Sequence, residues 1–152
     1  MVRISTGTFR FVLQTPRGTL IDCRAGSLIF PAHDGHQGVL RDHAPMLCRL
    51  GLGIIQIKEM PDRPDAFFLV NGGFTRISDN FMKVLSLDVT TFEGLNDQQA
   101  KDMLSDAKSK VAGAAYFSTQ SGEAIDSLKA KLVVKMAEMA KIDIGTGEKK
   151  RS

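Results

Sequence analysis

The stretch FMKVLSLDVTTFEGLNDQQAKDMLSDAKSKVAGA, residues 81–114, decides the fold, because the spacing of its apolar residues changes partway along. Phe81 to Val89 is strand-like, and its apolar residues fall on both faces, which predicts burial on both sides. From Leu95 the period lengthens. Ala100, Met103, Leu104, Ala107, Val111 and Ala114 recur three and four apart and share one helical face. Asn96 is a candidate N-cap, with Gln99 three residues on in the capping-box position. Gly113 weakens the end of this helix. Strand therefore gives way to helix near Gly94.

Downstream, Tyr116 to Gly122 reads as a polar loop. Ile125, Leu128, Leu132, Met136 and Met139 then form a second apolar stripe, with Lys129, Lys131, Lys135 and Lys141 standing off it. Two amphipathic helices joined by a short loop predict an antiparallel helical hairpin over residues 95–144. Residues 145–152, GTGEKKRS, hold no large apolar side chain and read as a disordered tail.

Upstream, residues 1–92 read as short strands separated by turns. Phe9 to Gln14 is β-rich and stops at the turn Thr15-Pro16-Arg17-Gly18. Thr19–Cys23, Ser27–Phe30, Gly38–Leu40 and Ala44–Cys48 follow, and Pro45 suits an edge or a strand start because it cannot donate to a ladder. Ile54–Lys58 and Phe67–Val70 flank a hairpin tip at Pro61–Asp65. Gly73–Ile77 and Phe81–Val89 flank a second tight turn at Ser78-Asp79-Asn80. About nine short strands at this spacing predict an antiparallel β-sandwich or flattened barrel. The expected class is α+β, a sandwich followed by a two-helix hairpin.

Composition follows the same division. All 5 prolines lie in the first 64 residues, and residues 1–92 hold 8 Arg and 2 Lys, whereas residues 93–152 hold 9 Lys and 1 Arg. The net formal charge of +3 is far from the dense basic face that nucleic-acid binding demands. A hydrophobic content of 43% supports a core and excludes a disordered chain. No run approaches the roughly 20 apolar residues of a membrane span. The N-terminus has no secretory apolar region, which predicts a protein of the cytoplasmic compartment, attached to a membrane only through a partner. Cys23 and Cys48 accordingly read as reduced thiols.

Several clusters invite a chemical reading. His33, His36 and His43, with Asp34 and Cys48 nearby, suggest a metal-binding module. Their spacing matches no strong zinc signature, and histidines in loops around Gly35 and Gly38 explain them more simply. Asp42-His43 with Cys48 suggests an activated thiol, but adjacent residues in an extended chain point to opposite sides. Asn71-Gly72-Gly73 could cradle a phosphate. A nucleotide fingerprint needs a following helix, however, and here a strand follows, so a bulge or sheet corner is expected. The lysines of the last helix form a solvated face or, more sharply, a contact for an acidic partner. The sequence shows no carboxylate pair, nucleophile–base set or phosphate-binding loop. An adaptor whose hairpin grips an acidic helix is a further reading.

The segment Phe30-Pro31-Ala32-His33-Asp34-Gly35-His36-Gln37-Gly38-Val39-Leu40-Arg41-Asp42-His43-Ala44-Pro45-Met46-Leu47 resembles the signature of the epsilon-subunit family of F-type ATP synthases. That family carries G-x-x-G-x-x-x-x-G-x-L-P-x-H-A-P-L-L at the equivalent place. Gly38, His43, Ala44, Pro45 and Leu47 match, while Arg41 stands where proline is frequent. Phe67 to Gly73 followed by Phe74 is similar to the family's F-x-x-x-S-G-G-F, with Asn71 for Ser ahead of Gly72 and Gly73. Val84-Leu85-Ser86-Leu87-Asp88 is similar to the strand that ends the family's β-domain. The resemblance spans roughly residues 9–142, and the order of β-domain and hairpin agrees.

The resemblance implies a non-catalytic rotor subunit of the central stalk, peripheral on the cytoplasmic face of the inner membrane. Its β-domain, residues 1–92, would clamp the gamma subunit and rest on the membrane c ring, coupling proton flow to ATP synthesis. His33, Asp34, His36, Gln37, Gly38, Arg41, Asp42 and His43 would form the c-ring contact. An acidic residue is common in the family where His36 stands, and an imidazole there would make the contact pH-sensitive. The hairpin would regulate ATP hydrolysis, with Lys129, Lys131 and Lys135 meeting an acidic segment of the catalytic alpha/beta subunits. Some members bind ATP through [IL]-D-x-x-R-A at the first helix. The aligned residues here are Leu95-Asn96-Asp97-Gln98-Gln99-Ala100. Asn96 replaces the Asp and Gln99 the Arg, which forfeits a charged hydrogen bond worth about 1.5–3 kcal/mol. No ATP site, cofactor or metal is expected.

Overall fold

Two long strands organise the first unit. In the computed structural model, which describes residues 7–114 and 121–140, β5 spans Met46–Lys58 and β6 spans Ala66–Ser78. They pair antiparallel along almost their whole length, from Met46 opposite Ile77 to Ile57 opposite Ala66. The sequence reading broke each into two strands at its glycines. The glycines bend the strands without ending them. Each strand thus serves two layers: Phe74–Ser78 of β6 pairs with β7 (Phe81–Leu85), while Leu69 and Val70 pair with β8 (Val89–Thr90).

The remaining strands are β1 (Phe9–Thr15), β2 (Gly18–Ala25), β3 (Ser27–Ala32) and β4 (Gly35–Leu40). The order is β2-β1-β7-β6-β5-β3-β4, with β8 beside β6. One hydrophobic cluster takes Phe11 and Leu13 from β1, Val84 from β7, Leu28 and Phe30 from β3, and Ile55 and Ile57 from β5. The sheet is therefore folded on itself into a β-sandwich around a single core. One pairing departs from the all-antiparallel expectation: β1 runs parallel to β7, with Phe11 opposite Met82. Strand direction depends on where the intervening five strands carry the chain, and no local pattern encodes that.

The corner at Gly72-Gly73 explains the end of β7. Ser86 is buried, and its hydroxyl donates to the Gly72 carbonyl at 2.7 Å. Here the chain leaves β7 and crosses to the other layer as β8, so Phe81–Val89 is two strands where the sequence suggested one. Gly73 has φ +124°, and an added Cβ would collide with the Leu85 carbonyl oxygen and sit 3.1 Å from Ser86 Cα. Gly72 has φ +81° with open space around a Cβ. Gly73→Ala should therefore cost about 3 kcal/mol or more, strain and overpacking together, against about 1 kcal/mol for Gly72→Ala. Urea unfolding midpoints of the two variants check this, and equal midpoints would refute the tight corner.

The second unit, Thr91–Ser152, holds α1 (Asp97–Ala114) and α2 (Ser121–Met139), which pack on each other. The first unit is Met1–Thr90, so the division falls two residues before the end of the expected β-domain. The capping box at the head of α1 forms: Gln99 N–H donates to Asn96 Oδ1 at 2.8 Å, and Asn96 N–H donates to Gln99 Oε1 at 3.1 Å. Ala100, Leu104 and Ala107 are buried, as their spacing predicts. In α2 the buried face is Ala130, Val133, Met136 and Ala137, whereas Ile125 and Leu128 are exposed. Of the expected stripe, Met136 is buried and Leu132 and Met139 are half-buried, so the buried face is turned partway around the helix. Small alanines on both helices permit close approach, and the larger residues at 125 and 128 are left outside it. α2 also begins within the segment read as a loop. Residues 115–120 and 141–152, including the expected tail, lie outside the described residues.

Candidate functional site

The proposed contact segment is an edge strand with a turn at each end. β4 pairs only with β3, placing His36 opposite Pro31 and Gly38 opposite Ile29. Among the described residues, no strand pairs with its other edge. Val39 points into the core, while His36, Gly38 and Leu40 are exposed. His33 and Asp34 form the turn before β4, and His33 N–H donates to the Arg49 carbonyl at 2.9 Å. Arg41, Asp42 and His43 form the turn after it. With about 3.3 Å per extended residue, the two turns stand about 20 Å apart. A Cβ placed on Gly53 would lie 2.6 Å from Pro31 Cβ, so the Pro31 ring of β3 needs glycine there, while His36 Nε2 would stand at ordinary contact distance, 3.5 Å. Gln37 is half-buried.

The far turn is densely bonded. Asp42 has φ 67°, its N–H donates to Asn80 Oδ1 at 2.6 Å, and Asn80 Nδ2 donates to Asp42 Oδ1 at 3.0 Å. Arg41 Nη1 donates to the Thr8 carbonyl at 2.9 Å, and His43 Nδ1 lies 2.7 Å from the Ala44 carbonyl oxygen. Ala44 and Pro45 are exposed and lead into β5, with Pro45 just ahead of the ladder, where a residue without an N–H costs least. Gly72 and Gly73 belong to the sheet corner described above.

This geometry separates the histidines. His33 and His43 are at opposite ends of β4, and among the described residues no three His, Cys, Asp or Glu side chains are placed to share a metal ion. Burial pushes the Cys23 thiol up to about 11, which makes it a poor nucleophile and metal ligand near neutral pH.

A second surface escaped the sequence reading. On the outer side of β5, β6 and β7, Leu47 faces Arg76, Arg76 faces Lys83, and Phe74 faces Leu85. Leu47 is 76% exposed, Phe74 58%, Leu85 49% and Phe81 37%. Arg10 stacks its guanidinium 5.2 Å from the Phe81 ring centre and pairs with Asp22 through two bonds of 2.8 and 3.0 Å. That pairing raises the Arg10 pKa and lowers that of Asp22. The signal was present in the sequence: β7 carries large apolar residues on both faces. Met82 and Val84 fill the core, but Phe81 and Leu85 face outward and stay 37% and 49% exposed. Four large apolar residues on one open face, rimmed by cations, are what a protein-docking surface looks like before its partner arrives.

The three lysines do not form one face. Lys131 and Lys135 are about 40° apart around α2, whereas Lys129 is about 160° from Lys131. Lys131 and Lys135 are exposed and Lys129 is half-buried. Lys131 shares a shallow apolar groove with Lys108 of α1, floored by Val111 and Val134. Asn96 and Gln99, at the positions of the ATP-binding motif, are engaged with each other's backbone in the capping box.

Residues 8–91 match the family model for the β-sandwich domain of the ATP synthase delta/epsilon chain. The chain is 33% identical over 100 residues to an ATP synthase epsilon chain of Rhodopirellula baltica, covering 66% of this chain and 77% of that one. It is 32% identical over 104 residues to a chloroplastic epsilon chain of Pisum sativum, covering 68% and 74%. A chloroplastic epsilon chain of Mesostigma viride aligns over 131 residues at 28% identity, 86% of this chain and 92% of that one. Among solved structures, a chain of the Euglena gracilis mitochondrial ATP synthase superposes with a TM-score of 0.53 at 15% identity, covering 88% of this chain and 79% of that one.

Proposed function

This chain belongs to the ATP synthase delta/epsilon chain family and is a non-catalytic subunit of that enzyme, and from this premise we propose that it joins the gamma subunit to the membrane c ring in the central stalk. The observation that carries the proposal is the open apolar face of Leu47, Phe74, Phe81 and Leu85 on a unit whose core is already complete. Such a face suits a packed, permanent partner, and we assign it to gamma. The polar edge of β4 and its two turns form a different kind of surface, with His33, Asp34, His36, Arg41 and Asp42 all exposed. Charged and polar loops suit a contact that must keep register on a ring, and we assign this edge to the c subunits. Two unlike surfaces on one small rigid unit are what a coupling element needs.

Among the described residues, no helix is long and apolar enough to cross a membrane; attachment through the ring at the cytoplasmic face is part of the proposal. The hairpin is proposed as the regulator of hydrolysis. Lys131 and Lys135, together with Lys108, are the cations we assign to an acidic segment of the catalytic alpha/beta subunits, and Lys129 points elsewhere. No ATP site is proposed on α1, because Asn96 and Gln99 serve as its cap.

Affinity purification of a tagged full-length chain from membranes tests the assignment. Gamma and c subunits are expected in the eluate. Recovery of the chain without either would reject the stalk reading and favour a free-standing adaptor.

A further inference from the structure

One residue outside the family-like motif ties the far end of the sandwich together. Asp79 and Asn80, with φ 53° and 58°, form the two-residue turn between β6 and β7. The Asn80 carbonyl accepts from Arg10 N–H at 2.9 Å, which pins the turn to β1. The Asn80 side chain reaches across to Asp42, accepting from its N–H at 2.6 Å and donating to its carboxylate at 3.0 Å. Asp42 itself sits in the left-handed region at φ 67°, where a non-glycine residue needs support. His43 N–H closes the same turn onto the Leu40 carbonyl at 3.2 Å. These groups are solvent-exposed or only half-buried, so the pair adds little to global stability and much to local shape.

We propose that Asn80 is the positioning residue of the Arg41–His43 turn, fixing the shape in which that turn meets the c ring; the inference rests on the assignment of the β4 edge to the ring. The amide is specific to the task. It offers an acceptor to a backbone N–H and a donor to a carboxylate at once. An aspartate in its place would keep the acceptor, lose the donor, and set its charge against Asp42 with Asp79 adjacent.

The test is an exchange of the two groups in the full-length chain. N80D should speed hydrogen exchange at the Asp42 amide by about tenfold and weaken binding to membranes stripped of the native chain by a similar factor. D42N alone should keep the slow exchange of the residue 42 amide, since Asn80 can still accept from it and donate to an amide oxygen, and its membrane binding sets the reference for the double variant. The double variant D42N/N80D puts the donor on residue 42 and the acceptor on residue 80, and should restore slow exchange and bring membrane binding back to the D42N level. An unchanged exchange rate in N80D, or a double variant as impaired as N80D, overturns the positioning role. Exchange that responds and is rescued while membrane binding never changes overturns the ring assignment of this turn and with it the functional half of the proposal. Co-purification with gamma, through the other face, is unaffected by that outcome.

Discussion

Phe74→Asp is expected to abolish stable association with gamma and to leave the free chain folded. The reasoning starts from exposure. Phe74 sits on the outer side of β6, opposite Leu85 and Arg49, with most of its surface in water, and the core cluster does not include it. A charge placed there meets solvent in the free chain, so stability should change by no more than about 0.5 kcal/mol. In the complex the same charge would be buried in an apolar contact. Aromatic anchors at interface centres typically cost about 2 kcal/mol or more on truncation, and a buried unpaired carboxylate costs further. At about 1.4 kcal/mol per decade, affinity should fall at least about 30-fold. Leu47→Asp, at the more exposed end of the same face, should behave alike. Asp65→Ala, on the exposed β5–β6 tip, serves as the control and should bind as the parent does. Binding of each variant to purified gamma, with thermal melts of the free chains, decides the matter. A Phe74→Asp chain that binds gamma normally would remove the face from the stalk.

What the sequence disclosed about this face is instructive. Two-sided apolar content in Phe81–Val89 was legible, and it was read as burial on both sides. One side is indeed core. The other is exposed, and a single sequence cannot distinguish burial by its own fold from exposure or from burial by another subunit. The long bent strands were legible as fragments, because glycine interrupts β-propensity whether the chain stops or merely turns a corner. At Gly73 the carbonyl of Leu85 lies too close for any side chain, a fact about two segments 12 residues apart that no local pattern contains. The capping box at Asn96 and Gln99 was fully legible, since all its determinants lie within four residues. The register of α2 was not. The expected stripe was Ile125, Leu128, Leu132, Met136 and Met139; Met136 is buried as expected, but beside it helix packing took Ala130, Val133 and Ala137 and left Ile125 and Leu128 exposed. The motif around His43 was legible in the segment proposed as the ring contact, but the bond from Asp42 to Asn80, 38 positions away, was not.

Removal of the hairpin tests the remaining assignment most directly. A chain ending at Gly94 keeps every member of the core cluster, which runs from Phe9 to Val84 with Val89 packed against it. It also keeps the apolar face and the β4 edge, so it should fold, bind gamma and assemble with the c ring. What it loses is α1 and α2, and with them Lys108, Lys131 and Lys135. If the hairpin restrains hydrolysis by favouring one state of the rotor, its removal releases a coupling energy of about 1–3 kcal/mol, a rise in ATP hydrolysis of about 5-fold or more. ATP synthesis should respond less than hydrolysis. Two further variants locate the effect. Lys131→Glu with Lys135→Glu should reproduce part of the release, since these cations project from one side of α2. Lys129→Glu should not, since it projects from the other. Equal hydrolysis by complexes carrying the full and truncated chains would withdraw the regulatory role while leaving the rotor assignment to the β-unit. Release by Lys129→Glu alone would instead place the acidic partner on the opposite side of α2 and would move the contact away from the Lys108–Lys131 groove.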